Sequence, residues 1–268
     1  MKRRTNGTVW AMVLATIAVG PTMGEEAAPA AEQAADTPEL RVVDPELDAL
    51  LERIEASADE LKTLEATVVY DIENDLTGDV QKRVGTFVYV KYEGPAQMAI
   101  DFDRRIVDGN RAEEIDTRYV FDGESWVEID GDEKRWTRYP EADDAANDPV
   151  ADLLRLDFDK DELTRQYVVE RRVAEDAAAD EPVTLRLRPR ERASAEFDYV
   201  DVTFDETLTP TTVEAHDHEA GKVTRVRLLR AERNAETADT SALDTTPPTE
   251  PGWAIDDRSV DGRSATAE

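Results

Sequence analysis

Gly85-Thr-Phe-Val-Tyr-Val-Lys91 is followed by Pro95 and then by Met98, Ile100 and Phe102 at every second position. Tyr119-Val-Phe-Asp-Gly123, Ser125-Trp-Val-Glu-Ile129 and Arg135-Trp-Thr-Arg-Tyr-Pro140 continue the pattern. Successive side chains of a strand leave opposite faces, so this spacing gathers aromatic and aliphatic groups on one sheet surface. The connections are too short for parallel crossovers, which need about a dozen residues or more. The stretch predicts an antiparallel meander with one apolar face. What covers that face, or what it holds, decides the function.

Upstream, Asp44-Pro45 opens a helix: Asp as N-cap, Pro at the first helical position, and Glu46 and Asp48 in the positive first turn. Leu47, Leu50, Leu51, Ile54, Leu61 and Leu64 follow helical spacing, with Glu52, Arg53, Glu55, Asp59 and Glu60 on the other side. At Glu65 the period changes to two, with Ala66, Val68, Tyr70 and Ile72 on one face. Asp148-Pro149 repeats the helix start, and Val150, Leu153, Leu154 and Leu156 predict a short second helix. Further strands are predicted at Tyr167-Val-Val-Glu-Arg-Arg-Val173, Val183-Thr-Leu-Arg-Leu187, Tyr199-Val-Asp-Val-Thr-Phe204, residues 210–215 and residues 223–229. Ten or eleven strands and two short amphipathic helices predict a mainly β (α+β) domain. Two such helices cannot cover both faces of so long a sheet. The predicted architecture is therefore one highly curved antiparallel sheet, a half-open β-barrel, with the helices as a lid over an apolar cavity.

The ends of the chain read differently. Lys2, Arg3 and Arg4, the apolar residues 8–19 and Pro21-Thr-Met-Gly24 have the layout of an export signal over residues 1–24. An uncleaved anchor is the alternative, although the apolar run is shorter than the roughly 20 residues of a membrane span. Residues 25–43, rich in Ala, Glu and Pro, predict a disordered acidic linker. The folded domain is expected over residues 44–256 and a disordered tail over 257–268. These features predict a periplasmic protein. It contains no cysteine, which excludes disulfides, thiol chemistry and a lipid anchor of its own. With 62 acidic against 32 basic residues the formal net charge is −30, a field that repels nucleic acid and anionic membranes. The acids are spread along the whole chain, as expected of a solvation strategy.

The order of motifs across residues 45–255 resembles that of the LolA-type periplasmic carriers of outer-membrane lipoproteins. The motifs are Leu61-Lys-Thr-Leu-Glu-Ala66, the Gly85–Lys91 strand with Pro95, and Asp122-Gly123-Glu-Ser-Trp126. Tyr139-Pro140, the leucine-rich segment after Pro149, Leu185-Arg-Leu-Arg-Pro189, Pro247-Pro248 and Pro251-Gly252-Trp253 complete the set. The resemblance implies a half-open barrel, a helical lid, a cavity for acyl chains and exchange of those chains with membrane-bound partners. Related folds carry other lipids or act as sensor domains. One departure stands out. The best-known carriers place an Arg just before the strand-linking Pro, whereas this chain has Tyr92-Glu93-Gly94-Pro95 with Lys91 the nearest base. That residue's role is therefore not carried over.

The expected lipid-binding cavity is lined by Val68, Tyr70, Phe87, Tyr89, Met98, Ile100, Phe102, Trp126 and Trp136. The expected lid surface is Leu47, Leu51 and Ile54 on the first helix with Leu153 and Leu154 on the second. Taken singly, each lining residue reads as plain core; together they point to a cavity, because so few helices are available to fill the space. His216-x-His218 has the spacing of two ligands on one strand face but no third, and the Ala220-Gly221 that follows marks a hairpin turn. Asp157, Asp159 and Asp161 lack the Gly and distant Glu of a calcium loop. No metal, cofactor or catalytic residue is expected, and no Gly-x-Ser-x-Gly elbow, phosphate loop or basic–aromatic patch is present. The chain reads as a non-enzymatic, monomeric carrier of acyl chains of lipoproteins or other lipids. Its expected partners are inner- or outer-membrane release and acceptor proteins. A sensory or regulatory lipoprotein-binding module on the same fold, engaging a membrane protein, is the alternative; a glycan-active enzyme with paired carboxylates is a further rival.

Overall fold

In the computed structural model, helix α1 spans Pro45–Asp59 and leads directly into strand β1, Thr63–Asn74. The first meander continues through β2 (Asp79–Val90), β3 (Gln97–Val107), β4 (Arg111–Phe121), β5 (Ser125–Asp130) and β6 (Arg135–Pro140). A short helix α2, Lys160–Gln166, precedes the second meander. This comprises β7 (Tyr167–Arg172), β8 (Val183–Pro189), β9 (Tyr199–Phe204), β10 (Pro210–Asp217) and β11 (Lys222–Arg233). A 3-10 turn at Thr240–Leu243 and strand β12, Ala254–Asp257, complete the elements of the described residues. The structure describes residues 45–74, 77–92, 94–107, 111–140, 154–156, 158–172, 182–191, 197–235 and 238–258. The expected signal, linker and Asp44 N-cap lie outside them, as do Leu153, most of the second predicted helix, Asp157 and the tail from residue 259.

All twelve strands belong to one curved, open sheet in the order β12-β6-β5-β4-β3-β2-β1-β11-β10-β9-β8-β7. The two meanders join where β1 pairs with β11, Val68 opposite Leu228, so β1 is a central strand although it comes first. Every pair is antiparallel except β12 with β6, which is parallel and departs from the all-antiparallel expectation. Bulges at Val84/Gly85 and Phe102/Arg104 bend the β2–β3–β4 region. Gly85 has a second duty: a Cβ there would lie 1.9 Å from the Asp101 carbonyl oxygen.

The sheet buries both faces, unequally. One face carries a large apolar cluster including Leu64, Val68, Phe87, Tyr89, Met98 and Phe102 from the first half and Leu185, Val202, Phe204 and Val226 from the second. Helix α1 adds Leu50, Leu51 and Ile54, and the 154–156 segment adds Leu154 and Leu156. The opposite face has a smaller cluster of Ala99, Val120, Val127 and Trp136, covered by Ala242, Leu243 and Trp253. Elsewhere that face carries cross-strand ion pairs beside the buried Val69 and Val88. Arg186 grips Asp201 with two bonds of 2.7 and 2.6 Å, Arg227 reaches Asp71 at 2.6 Å, and Arg118 reaches Asp101 at 2.9 Å. The excess of Arg over Lys thus has a structural use, because the planar guanidinium matches a carboxylate on a neighbouring strand.

Two helix boundaries differ from expectation. The apolar stripe through Leu61 and Leu64 reads as helix, yet α1 ends at Asp59. The cause is distant: the Asn234 side-chain oxygen accepts from the backbone N–H of Lys62 at 2.7 Å and of Thr63 at 3.2 Å, and its amide donates to the Glu60 carbonyl. The other difference is α2, which the alternating Asp159 and Asp161 announce. Asp159 is its N-cap, accepting from the Glu162 N–H at 2.7 Å, with Asp161 and Glu162 in the positive first turn.

Candidate functional site: the α1-covered face

Eight of the nine expected lining residues lie on the α1-covered face. Val68, Phe87, Tyr89, Met98 and Phe102 are buried there, while Tyr70, Ile100 and Trp126 are partly buried against the same cluster. Strand alternation accounts for the grouping: Tyr89 opposes Met98, Phe87 opposes Ile100, and Gly85 opposes both Val68 and Phe102. Trp136 is the exception and is placed on the opposite face, where its indole N–H donates to the Thr245 carbonyl at 3.2 Å. The register explains this. Asp130 opposes Arg135 across a four-residue turn, which sets Tyr139 beside Trp126 and Trp136 beside Ile129. Counting that turn in the sequence would have given the correct face.

The sequence reading overlooked Ile115, Tyr119 and Phe121 on β4, which share this face. Tyr70, Phe102 and Tyr119 form a chain of rings with centroids 6.0 and 6.3 Å apart, and Phe121 meets Trp126 at 5.2 Å. Arg155 lies 4.4 Å over the Phe121 ring and Arg83 5.8 Å over that of Phe102. Burial pushes the Tyr119 phenol above its ordinary pKa, and the Glu128 charge adds to that while Arg83 opposes it. The Tyr139 hydroxyl donates to Glu128 at 3.1 Å, and burial with the same carboxylate pushes its pKa up. The face therefore grades from aliphatic under α1 to aromatic and polar at β4–β6.

The centre of the apolar face is filled. Val68, Phe87 and Tyr89 are 0% exposed, so no water-sized space adjoins them. What occupies the space is chiefly the chain's own Leu50, Leu51, Ile54, Leu154 and Leu156. Leu47, the remaining expected lid residue, is partly buried against the cluster. Helix α1 is held at its two ends by different means. At its C-terminal end Arg233 donates to the Ser57 hydroxyl at 2.8 Å, to the Thr209 hydroxyl at 3.0 Å and to the Ser57 carbonyl. Toward its N-terminal end Lys160 donates to Asp48 at 3.0 Å and Glu52 at 3.1 Å. Those two bonds hold the Lys160 ammonium above its ordinary pKa.

The signature Asp122-Gly123-Glu-Ser-Trp126 has a defined local role. Asp122 Oδ1 accepts from the N–H groups of Glu124 at 3.0 Å and Ser125 at 2.8 Å, and Gly123 supplies φ +99°. The turn so fixed starts β5 with Trp126 on the α1-covered face. His216 instead belongs to the ion-pair face: it contacts Glu214 at 2.9 Å and stacks on Tyr199 at 4.4 Å.

Residues 115–241 match the family described as "Outer membrane lipoprotein carrier protein LolA". No curated protein sequence matches the chain. Among solved structures, an uncharacterized conserved protein from Thermus thermophilus is 8% identical with a TM-score of 0.47, covering 80% of this chain and 99% of that one. A putative outer membrane lipoprotein-sorting protein domain from Vibrio parahaemolyticus is 14% identical with a TM-score of 0.41, covering 73% and 95%. The MucA/MucB complex of Pseudomonas aeruginosa gives 15% identity and a TM-score of 0.42, covering 74% and 60%. The family match spans β4 to β11 and contains both Asp122-Gly123-Glu-Ser-Trp126 and Leu185-Arg-Leu-Arg-Pro189, and over it the chain is similar to the LolA-type lipoprotein carriers.

Proposed function

We propose that this protein is an exported, non-enzymatic carrier that shields acyl chains of lipoproteins or other lipids against the α1-covered face of its sheet. The observation that carries the reading is the disproportion between that face and its cover. Apolar side chains from β1 to β4 and from β8 to β11 converge on it, and among the described residues the buried cover is Leu50, Leu51 and Ile54 of α1 with Leu154 and Leu156 of the 154–156 segment. An acyl chain that replaced part of this cover would regain about 0.8 kcal/mol per buried CH₂, without demanding a particular head group. In this reading α1 and the 154–166 segment are the lid and the present arrangement is the closed, unloaded one. Val68, Tyr70, Phe87, Tyr89, Met98, Ile100, Phe102 and Trp126 line the opened site. The expected export signal and the LolA resemblance together support the periplasm as its compartment. Among the described residues no helix is long and apolar enough to cross a membrane.

The test is lipid binding by the purified protein. Native mass spectrometry is expected to find co-purified lipid, and delipidated protein is expected to bind a fluorescent fatty acid. Phe102→Asp, which puts a carboxylate on the apolar face, is expected to abolish that binding. Delipidated wild-type protein that folds but binds no fatty acid overturns the carrier reading.

A further inference from the structure

Beside the C-terminal half of α1 lies an open groove of about 420 Å³ lined by Arg53, Ala56, Ser57, Glu60, Thr207, Leu208 and Arg233. A void of about 10 Å³ adjoins it, sharing Ser57, Leu208 and Arg233 and otherwise lined by Ala58, Leu61, Leu156, Phe158, Thr209 and Pro210. That void has room for roughly one water. Its inner wall, Leu61 and Leu156, belongs to the large apolar cluster, and Phe158 meets Phe204 of that cluster at 5.6 Å. Polar groove, apolar throat and buried core thus lie in series.

Two further observations set this place apart. Leu156 and Leu208, which both line the throat, have left-handed backbones, with φ of 54° and 59°. Such a conformation is unfavourable for a leucine, and it persists only where the surroundings over-determine it. At Leu208 they do: Asp205 Oδ1 accepts from the N–H groups of Thr207 at 2.9 Å and Thr209 at 3.0 Å, and the Asp205 carbonyl accepts from the Leu208 N–H at 3.0 Å. The groove also has the opposite charge to the molecule. In a chain of net charge −30 it gathers two guanidinium groups against the single carboxylate of Glu60. Arg233 is fixed by α1 and the 207–209 turn, whereas Arg53 is exposed and has no ion-pair or hydrogen-bond partner among the described residues.

We propose that this groove is the entry and head-group site for an amphiphile with one anionic head, carboxylate or phosphate, on a single acyl chain. Arg53 and Arg233 hold the head. The chain passes between Leu61, Leu156, Phe158 and Leu208, whose side chains must part to admit it. The proposal rests on the carrier reading and adds to it the polarity of the cargo and its point of entry.

The full chain is titrated calorimetrically with oleate, oleoyl lysophosphatidate, monoolein and inorganic phosphate. The two anionic amphiphiles are expected to bind more tightly than neutral monoolein, and inorganic phosphate not to compete. Arg53→Glu, at an exposed position where folding is checked by melting temperature, is expected to weaken both anionic amphiphiles about tenfold, as loss of a charge-assisted contact does. Monoolein binding is expected to be unchanged. If no amphiphile binds the wild type, both the carrier reading and this site fall. If all three amphiphiles bind and Arg53→Glu affects none selectively, the carrier reading stands and the head-group site is wrong. Competition by inorganic phosphate as strong as that by lysophosphatidate assigns the groove to free anions and overturns the proposal.

Discussion

Gly85 and Asp101 approach so closely at the β2–β3 bulge that a Cβ on Gly85 would sit 1.9 Å from the Asp101 carbonyl oxygen. Both partners are backbone, so no rotamer change relieves the overlap. Gly85→Ala must push the strands apart beside Phe87 and Phe102, and the expected loss is about 2 kcal/mol or more. The check is a urea melt, in which the midpoint falls while the slope stays constant. An unchanged midpoint would show that the two strands can separate without cost.

Asp71 is the buried node of the ion-pair face, bound by Arg227 of β11 at 2.6 Å and approached by Lys82 of β2 at 3.4 Å. It ties the two meanders across β1. Removing Arg227 leaves the buried Asp71 with Lys82 alone, so Arg227→Met is expected to cost about 1–3 kcal/mol, less than a fully buried pair because Arg227 is partly exposed. The double variant Asp71→Leu with Arg227→Met is expected to recover part of that loss. A double-mutant cycle on chemical denaturation reads the coupling directly.

The alternation through Phe87, Tyr89, Met98, Ile100 and Phe102 sufficed to place five side chains on one face, because a period of two admits no other arrangement. The same rule misplaced Trp136, since the face of β6 depends on the length of the Gly131–Lys134 turn and not on β6 itself. The end of α1 was illegible for a different reason. Asn234, about 170 residues away in sequence, takes the N–H of Lys62 and Thr63, so nothing local marks the stop. The groove at Arg53 was equally hidden, because α1, the 207–209 turn and Arg233 meet only in the folded chain.

Lys160 is expected to govern the N-terminal half of α1. It bridges to Asp48 and Glu52, and its own N–H approaches Glu55 at 3.2 Å, while the far end of the helix is fixed separately through Ser57 and Asn234. Lys160→Met is expected to raise amide hydrogen exchange over the first two turns of α1 and to leave β1 protected. Salt of about 0.5 M is expected to produce part of the same effect in the wild type by screening. Uniform exchange in variant and wild type would show that Lys160 does not govern α1.

Glu214 provides the acid-side prediction. Burial raises its pKa, but the Arg225 hydrogen bond and charge outweigh that, with His216 adding to them, so the folded value lies below the ordinary 4.5. A depressed carboxylate contributes stability that is present above the unfolded pKa and is lost as pH falls through the folded one. Stability is therefore expected to decline below about pH 4.5 in the wild type. Glu214→Gln is expected to flatten that limb while lowering the plateau at neutral pH. Thermal melts from pH 3 to 7 measure both.

The C-terminal strap supplies the final prediction, because it is the cover of the second apolar face. Trp253, Leu243 and Ala242 lie on Val127, Ala99, Val120 and Trp136, and the strap is pinned by the Trp136 indole bond to Thr245. Beyond that, β12 adds four mostly exposed residues in parallel to β6, with the Ala254 N–H donating to Lys134 at 2.8 Å. The side-chain cover and the strand should therefore contribute unequally. Truncation before residue 254 frees the edge of β6 but leaves Trp136 covered, so the expected change is small and the new edge favours self-association. Truncation before residue 239 uncovers the cluster, and its expected cost is about 2–4 kcal/mol from lost apolar burial. Only the longer truncation is expected to red-shift the fluorescence of Trp136. If the shorter one does so equally, β12 and not the packing of Leu243 and Trp253 on the cluster holds the strap in place.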